Sequence, residues 1–251
     1  MRQLGGSVQF ATRAKSLRKE KNQWLVDTRN GMLKAPLVIA NVLPQNLKQM
    51  LQEQRAATTQ LLDLAAKKVE SGWGAAMLYL GIDQDAVSTS SAHHFELIAD
   101  TQKPFIAGNH IFCSVSDRRE THRAPPGQRT VTVSTHVPMC ELRTLDETAQ
   151  AEYVQTIQDR MRETLAKLAP ELNAGIKFQM SASPRTFERF TRRAHGYVGG
   201  VPRRVGLHNY QGMFPGALTP GLFMVGDSSF PGQSTLATAI GGLRTAQAAL
   251  G

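Results

Sequence analysis

The pattern of apolar and polar positions predicts a chain that mixes short strands with helices. Apolar residues alternate with polar ones, or β-branched residues cluster, in runs of the length typical of strands. The predicted strands cover 8–14, 23–28, 32–34, 35–41, 75–82, 95–98, 111–115, 130–137, 176–180 and 222–225. Apolar residues at helical spacing predict helices in the second part of 46–70, between a capping box at 144–147 and Pro170, and from Ser234 to about Leu250.

The stretch near the end of the chain, 221–236, has the pattern of a buried strand, a tight turn and a helix start. Residues 222–225 form an apolar run typical of a strand covered on both faces. Gly226 and Gly232 permit a positive φ or a close backbone approach. Asp227 stands at the carboxyl end of the strand, where open α/β sheets bind ligands. With Ser234 as N-cap, the helix start offers N–H groups and partial positive charge to an anionic or electron-rich ligand.

The composition is that of a globular protein with a basic surface. The 251 residues suffice for one or two domains, and 41% of them are hydrophobic. A total of 29 Lys and Arg against 20 Asp and Glu gives a net charge of +9. Such a balance favours anionic lipid, phosphate or nucleic acid as a partner, and an inert basic surface remains the alternative. Two cysteines in no metal-like spacing, Cys113 and Cys140, indicate a reducing compartment, so we predict a cytoplasmic location.

Several common kinds of site are not indicated by the sequence. The seven histidines include no H-x-x-x-H pair, so we predict no metal site. Gly226-Asp227-Ser228-Ser229-Phe230 lacks the closing glycine of a nucleophile elbow, which argues against a serine hydrolase. Neither G-x-G-x-x-G nor G-x-x-x-x-G-K-[ST] occurs. No uninterrupted apolar stretch has the length of a transmembrane helix.

Three stretches of the chain resemble one family of flavoproteins. The order Val-Gly-Asp-Ser-Ser-Phe-Pro-Gly-Gln-Ser at 225–234, followed by Gly-Gly-Leu-Arg-Thr-Ala at 241–246, resembles the carboxy-terminal flavin motif of the phytoene desaturase and carotenoid isomerase family. Ser183, Pro184, Thr186, Phe187 and Phe190 fit the segment that returns to the FAD domain in that family, as do the glycines that follow them. Ser183-Pro184 is predicted to open a turn. The resemblance implies an FAD-dependent, amine-oxidase-like protein.

The resemblance also implies which residues would contact FAD. The Asp227 carboxylate would accept a hydrogen bond from the ribityl chain, and Gly226 and Gly232 would let the backbone approach the cofactor. Backbone N–H groups of the helix start would face the pyrimidine edge of the flavin, and the backbone near Ala14 would lie beside the adenine. The helix-start residues are Gln233, Ser234, Thr235 and Leu236.

The implied fold class is α/β (α+β), with two interleaved domains. A partial FAD-binding Rossmann-like domain would comprise 1–43 and 184–251. A substrate domain with a β-sheet and flanking helices would comprise 44–183. The loop 191–220, rich in glycine and proline, lies within the second FAD-domain segment.

The implied function is desaturation or isomerisation of a long polyene or isoprenoid lipid. Desaturation would transfer a hydride to flavin N5, and isomerisation would use reduced flavin transiently. No acid or base stands out, so catalytic residues are not assigned, which suits chemistry carried by the cofactor. The basic charge suits docking on an anionic membrane face, and no specific nucleic acid is expected. The competing hypothesis is a non-catalytic remnant or a basic binding module.

The sequence begins at a point that is internal to the family pattern, after the glycine loop that holds the FAD pyrophosphate. We therefore expect the carboxy-terminal part of a longer protein, one piece of a split gene, or a remnant, with the first two favoured. We also expect weak or absent FAD affinity for this chain by itself, because half of the dinucleotide site is not in it. An amino-terminal FAD-domain fragment is a predicted partner.

Overall fold

The computed structural model describes residues 2–51, 56–87, 93–202, 217–229 and 231–251. The chain divides into two compact units: unit 1 comprises Met1–Val69 and Gly199–Gly251, and unit 2 comprises Glu70–Val198. These units end after Val69 and Val198, whereas the sequence analysis divides the chain after residues 43 and 183. The FAD and substrate roles given to those segments stay predictions.

Unit 1 contains two three-stranded sheets. One is antiparallel, in the order β1-β2-β3, and the other has the order β10-β11-β4, with β11 parallel to β4. The parallel pair matches Leu222 with Val38 and Met224 with Ala40. The strands are β1 (Ala14–Glu20), β2 (Gln23–Thr28), β3 (Gly31–Ala35), β4 (Val38–Ala40), β10 (Ala217–Thr219) and β11 (Leu222–Met224).

The core of unit 1 forms where its two sheets and the helices that follow β4 contribute apolar side chains. The helices of this unit are α1 (Pro44–Met50), α2 (Ala56–Glu70) and α7 (Thr235–Leu250). Helices α3 to α6 lie in unit 2. Trp24 is buried and its indole N–H donates to the carbonyl oxygen of Pro220 at 3.2 Å. The buried cluster comprises Leu17, Trp24, Ala40, Leu47, Leu51, Leu62, Leu218, Leu222 and Met224.

Unit 2 is built on one five-stranded antiparallel sheet. Its strand order is β6-β7-β8-β5-β9, which places β6 and β9 at the two edges. The strands are β5 (Trp73–Asp83), β6 (His94–Ile98), β7 (His110–Val115), β8 (Gln128–Pro138) and β9 (Ile176–Ala182). Side chains alternate along β5 and β8 between buried and half-buried, so one face of the sheet is covered and the other is not.

Helix α4 (Glu147–Leu168) covers one face of this sheet. Its apolar stripe, which includes Ile157, Met161 and Leu165, is buried with the inward residues of β5 and β8. The peptide of Gly108 packs against α4, where Thr164 Oγ1 donates to its carbonyl oxygen at 2.9 Å. The remaining helices are α3 (Met139–Leu142), α5 (Pro170–Ala174) and α6 (Pro184–Thr191).

The predicted mixed α/β class is confirmed, with corrections to single elements. The strand predicted at 8–14 is wrong, because Phe10 is 83% exposed and the first strand begins at Ala14. The helix predicted in the second part of 46–70 is confirmed as α2, and the first part contains a further helix, α1. Residues 52–55 between them lie outside the described part.

Helix starts account for two further corrections. The N-cap of α4 is Asp146, whose carboxylate accepts from the N–H of Ala149 at 2.9 Å, so the capping box predicted at 144–147 is wrong. The turn predicted at Ser183-Pro184 is instead the start of α6, where the side chains of Ser183 and Thr186 cap each other's backbone.

Candidate functional site

The carboxyl ends of β4 and β11 lie side by side in unit 1, because these strands are parallel neighbours. Val225 donates its N–H to the carbonyl oxygen of Ala40 at 3.0 Å, which extends the pairing by one residue. Gly226 follows with a φ of 114°, and a β-carbon there would clash with Oδ1 of Asn41. The turn can therefore leave the sheet beside Asn41 only with glycine at position 226.

A second segment of unit 1 passes directly against the turn. Gly200 has a φ of 58°, and a β-carbon at this position would lie 2.5 Å from the carbonyl oxygen of Asp227 and 2.8 Å from its Oδ1. The side-chain amide of Gln233 donates to the carbonyl oxygen of Val201 at 3.1 Å. The segment at 199–201 thus fixes the position of both Asp227 and Gln233.

The turn itself buries two serines that differ in their hydrogen bonding. Ser228 and Ser229 are 3% and 2% exposed. Ser228 Oγ donates to Asp227 Oδ1 at 3.4 Å, a long bond. Ser229 Oγ has no hydrogen-bond partner in the part of the chain that the structure describes. A buried hydroxyl without a partner is costly, and such an atom is typical of a place where a ligand or water completes the bonding.

Helix α7 starts at the far side of the turn. Ser234, with a φ of 99°, accepts at Oγ from the N–H of Ala237 at 3.1 Å, which confirms it as the N-cap. The N–H groups of Thr235 and Leu236 precede that bond and have no intrahelical acceptor, as in any first turn. Both residues are exposed, so these donors and the positive end of the helix dipole are accessible.

This donor and acceptor set suits the polar parts of a flavin. Asp227 offers a carboxylate acceptor for hydroxyl groups, Ser229 a buried unpartnered hydroxyl, and the start of α7 offers N–H donors for an electron-rich ring edge. The structure brings together the predicted residues Gly226, Asp227, Gly232, Gln233, Ser234, Thr235 and Leu236 in one turn and helix start. Ala14 lies elsewhere in unit 1, at the start of β1, paired with Thr28. The FAD contacts of these residues stay predictions.

The predicted cofactor contacts did not include three residues that shape the turn: Asn41, Gly200 and Ser229. Asn41 follows the apolar run of β4, so the rule that ligands bind at the carboxyl ends of parallel strands would have indicated it. Gly200 and Ser229 lie in stretches that resemble the flavoprotein family, but the approach of Gly200 to Asp227 joins segments far apart in the chain and cannot be predicted from local spacing.

Unit 2 has a second candidate surface, on the sheet face opposite α4. We call it the open face and define it by Met77, Tyr79, Phe112, Phe178 and Met180. Phe112, Phe178 and Met180 are 38%, 60% and 54% exposed, and Met77 and Tyr79 are half-buried. Tyr79 pairs across strands with Met180, and Gly81 with Phe178, so apolar side chains line the part of the face formed by β5 and β9. An apolar surface such as the part formed by β5 and β9 is typical of a binding site for apolar ligands or partners.

On the same face of the sheet, histidines lie toward the other edge, on β6, β7 and β8. The Nε2 atom of His110 lies 3.2 Å from Glu96 Oε2, and the ring of His94 stacks on Phe112 at 5.8 Å. His136 is exposed along one side, but its ring packs against Trp73 at 5.7 Å. Desolvation and the nearby His110 together hold the pKa of His136 below its usual value.

No group of metal-ligating side chains that could hold an ion is present among the described residues, and the absence of a metal site from the chain stays a prediction. Within the same residues, no helix has the length and apolar character needed to cross a membrane.

The comparisons with known proteins give both sequence and structural relatives. No protein-family model matches the chain. The chain is 28% identical over 178 residues to the chloroplastic prolycopene isomerase of Arabidopsis thaliana, covering 67% of the chain and 29% of that protein. It is 26% identical over 171 residues to the chloroplastic prolycopene isomerase of Daucus carota, covering 67% of the chain and 28% of that protein.

Two solved structures share the fold. An oxidoreductase from Methanosarcina mazei superimposes with a TM-score of 0.63 at 15% identity, over 95% of this chain and 49% of that one. Cyclohexylamine oxidase from Brevibacterium oxydans superimposes with a TM-score of 0.55 at 11% identity, over 95% of this chain and 47% of that one. At such identities the superpositions establish the fold alone.

Together the comparisons confirm, over part of the chain, the predicted resemblance to carotenoid isomerases with an amine-oxidase-like fold. The chain spans less than a third of these curated relatives and about half of the two solved chains. The relatives are chloroplastic by name, so the predicted cytoplasmic location stays a prediction.

Proposed function

We propose that the chain is part of an FAD-dependent oxidoreductase or isomerase that acts on a long polyene or isoprenoid lipid. The observation that carries the proposal is the occurrence, in one chain, of a turn suited to a flavin and an open sheet face that is apolar along β5 and β9. The first lies in unit 1, at the carboxyl end of β11, and the second in unit 2. The similarity to prolycopene isomerases supports the choice of substrate class.

In this proposal the residues of unit 1 hold and polarise the cofactor. The Asp227 carboxylate accepts hydrogen bonds from hydroxyl groups, and its position is fixed by Gly200. The N–H groups of Thr235 and Leu236, with the helix dipole, stabilise negative charge on the ring edge. A bound flavin would supply the reversible redox chemistry that these side chains do not have.

The open face of unit 2 is the surface that we assign to the lipophilic substrate. Tyr79, Met180 and Phe178 present apolar area without a formal charge. Each Å² of apolar surface removed from water stabilises a complex by roughly 25 cal/mol, so an extended hydrocarbon gains most along such a strip. The side chains of Tyr79 and Met180 would orient a polyene by contact and exclude water from it.

An amino-terminal FAD-domain fragment is the partner that we propose for unit 1. Leu236, Ile240 and Leu243 recur at helical spacing on α7 and are 71%, 41% and 62% exposed. Such an exposed apolar stripe is typical of a helix face that packs on another element. The proposed occupant supplies the pyrophosphate-binding loop, and the coverage of about half of the solved chains is in keeping with a second segment.

A peripheral membrane contact is proposed for α6. Phe190 is 75% exposed, and the guanidinium of Arg189 lies 5.5 Å from the centre of its ring. Arg185 and Arg189 are one helical turn apart on an exposed side of α6. Exposed arginine beside an aromatic side chain suits the headgroup region of an anionic bilayer. Loss of binding to phosphatidylserine vesicles in Phe190→Ser, with phosphatidylcholine vesicles as the control, would test this contact.

The function is tested in two steps that separate substrate from cofactor. First, the purified chain is mixed with prolycopene in detergent and passed through a gel-filtration column; co-elution that is lost in Tyr79→Lys, but kept in Arg244→Gln, is expected. Second, the chain is titrated with FAD alone and with the amino-terminal fragment added, with flavin fluorescence as the readout.

We expect the flavin fluorescence to be quenched only when both polypeptides are present, and not to be quenched when the chain carries Asp227→Ala. With FAD bound and anaerobically reduced, chromatography should then show new geometric isomers of prolycopene if the protein is an isomerase. If it is a desaturase, the oxidised flavin should instead accept a hydride from phytoene, which has fewer double bonds, and a further double bond should form. A complex that binds neither FAD nor prolycopene would contradict the proposal.

A further inference from the structure

Strand β9 is the edge strand of unit 2 that is least protected against pairing with another strand. It is seven residues long, it pairs only with β5 among the described residues, and Lys177 to Ser181 are all exposed. Natural edge strands are normally short, or carry charges and prolines that prevent edge-to-edge association. The sequence of β9, Ile-Lys-Phe-Gln-Met-Ser-Ala, contains one charged residue, and that residue is engaged within the unit.

Two polar side chains of β9 have partners within unit 2. Lys177 Nζ lies 2.9 Å from Asp83 Oδ2. With its amide oxygen turned toward Arg162, Gln179 accepts from Nε at 2.8 Å and from Nη2 at 3.1 Å. Phe178 and Met180, by contrast, remain exposed on the open face.

The other edge of the sheet gives a contrast within the same unit. Strand β6 has five residues and carries Glu96, which contacts His110 at 3.2 Å. If two copies of β6 paired antiparallel about their centre, Glu96 would lie opposite Glu96, and like charges in direct opposition destabilise a sheet. Pairing about the strand centre therefore opposes like charges in β6, whereas in β9 the charged residue, Lys177, lies away from the centre.

The sequence of β9 is complementary to itself in an antiparallel register. When two copies pair about Gln179, Phe178 of one copy lies opposite Met180 of the other, and Lys177 lies opposite Ser181. Both Phe178–Met180 pairs fall on the open face, and aromatic–aliphatic pairs of this kind stabilise antiparallel strands. The register contains no opposed like charges.

We infer that β9 is a homodimer interface, through which two copies of this chain join their five-stranded sheets into one continuous sheet. The interface is isologous, as expected for a two-fold symmetric dimer. The backbone N–H and C=O groups of β9 that are unpaired within the described residues, together with Phe178 and Met180, form this interface. The interface can exist whether or not the proposed function is correct. Where that function holds, the dimer also joins the open faces of two copies, which lengthens the apolar surface available to an extended polyene.

The experiment uses two oppositely charged double variants, F178K/M180K and F178E/M180E. In either variant alone, the paired register would place like charges opposite each other, so each should be monomeric. Mixed in equal amounts, the two variants place lysine opposite glutamate and should form a heterodimer. Because both positions are more than half exposed, the substitutions leave the core of unit 2 unchanged.

Sedimentation velocity at about 100 µM protein measures the outcome, a concentration suited to an interface smaller than the standard size. We expect the wild type to be dimeric, each charged variant monomeric, and the mixture dimeric again at low salt. F112K is the matched control, since Phe112 lies on the same face but on β7, away from the edge, and it should stay dimeric. A monomeric wild type, or charged variants that dimerise as the wild type does, would overturn the inference.

Two readouts separate this inference from the proposed function. If the dimer is found but prolycopene does not bind, the substrate assignment fails and the interface stands. If the wild type proves monomeric and still binds prolycopene, the interface fails and the substrate assignment stands.

Discussion

Gly200 lies directly against Asp227, although the two residues are far apart in the sequence. The position that a β-carbon of residue 200 would take is 2.5 Å from both the carbonyl carbon and the carbonyl oxygen of Asp227. Real β-carbons do not approach backbone atoms this closely, so the contact requires glycine. The fit between these two residues therefore sets the position of the Asp227 carboxylate, which is the predicted flavin ligand.

Gly200→Ala should therefore destabilise unit 1. The φ of 58° disfavours alanine, and the new methyl group displaces the backbone of Asp227, so we expect a loss of about 2–4 kcal/mol in the free energy of unfolding. Gly242→Ala is the control: Gly242 lies in α7 with no atom within 4 Å of the added carbon. That substitution should stabilise by about 0.5–1 kcal/mol. Urea unfolding followed by circular dichroism measures both, and equal effects would contradict the steric argument.

Thr164→Val should cost unit 2 about 1–2 kcal/mol of unfolding free energy, because it leaves the buried carbonyl oxygen of Gly108 without its donor. The matched control is Thr156→Val on the same helix. Thr156 Oγ1 also donates to a carbonyl oxygen, that of Glu152, but it is exposed and water can replace the bond. The control should change stability by less than about 0.5 kcal/mol. If the two variants unfold at the same urea concentration, the buried bond contributes nothing.

The elements that could be predicted are those whose own residues show an apolar pattern, without reference to distant parts of the chain. Strand β8 alternates over most of its length because one face packs on α4, and its sequence shows that alternation directly. Strand β5 could be predicted from its apolar run, although that run does not show which residues face α4. Strand β1 was misplaced because Leu17 is its only buried side chain among charged neighbours, so pairing with β2 rather than an apolar period defines it.

The same distinction applies to the candidate sites. The turn from Gly226 to Leu236 is continuous in the chain, so its strand, N-cap and helix could be predicted. The contacts of Gly200 with Asp227 and of Tyr79 with Met180 depend on the register between distant segments. Residue type and local spacing do not contain that register, and neither the shape of the turn nor the open face could be predicted from them.

The two cysteines should react very differently with a thiol reagent. Burial raises the pKa of the Cys113 thiol to about 12, whereas Cys140 is exposed. Since the thiolate is the reactive form, one thiol per chain should react quickly with Ellman's reagent at pH 8 and the second only after unfolding. Cys140→Ser should abolish the fast reaction, and Cys113→Ser should leave it intact. A fast phase of two thiols in the native protein would contradict the burial of Cys113.

His136 should make the protein less stable as the pH falls. Its pKa is lowered in the folded state by desolvation and by His110, so the unfolded chain takes up the proton at a higher pH. The folded state is therefore penalised as the pH drops through the unfolded value of about 6.5. An NMR titration should give a midpoint for His136 below that value.

Two variants check the cause of that shift. His110→Gln should raise the midpoint of His136 by removing the neighbouring charge, but only in part, because desolvation is the larger cause. His122→Gln, in the loop after β7, is the control and should leave the midpoint unchanged. A midpoint of His136 at the usual value in the wild type would show that packing against Trp73 does not desolvate the ring.

Ser228 and Ser229 offer an internal comparison, since the two neighbours are equally buried but only one has a partner. Ser228→Ala removes the donor to Asp227 Oδ1 and should destabilise the ligand-free chain by about 0.5–1 kcal/mol, at the low end because that bond is long. Ser229→Ala removes a buried hydroxyl that has no partner among the described residues, so its effect should be neutral or stabilising by up to about 1 kcal/mol. Thermal unfolding of both variants measures the difference. If Ser229→Ala destabilises as much as Ser228→Ala, the Ser229 hydroxyl has a hydrogen-bond partner in the ligand-free protein. It would then not be an open position for a ligand at the turn.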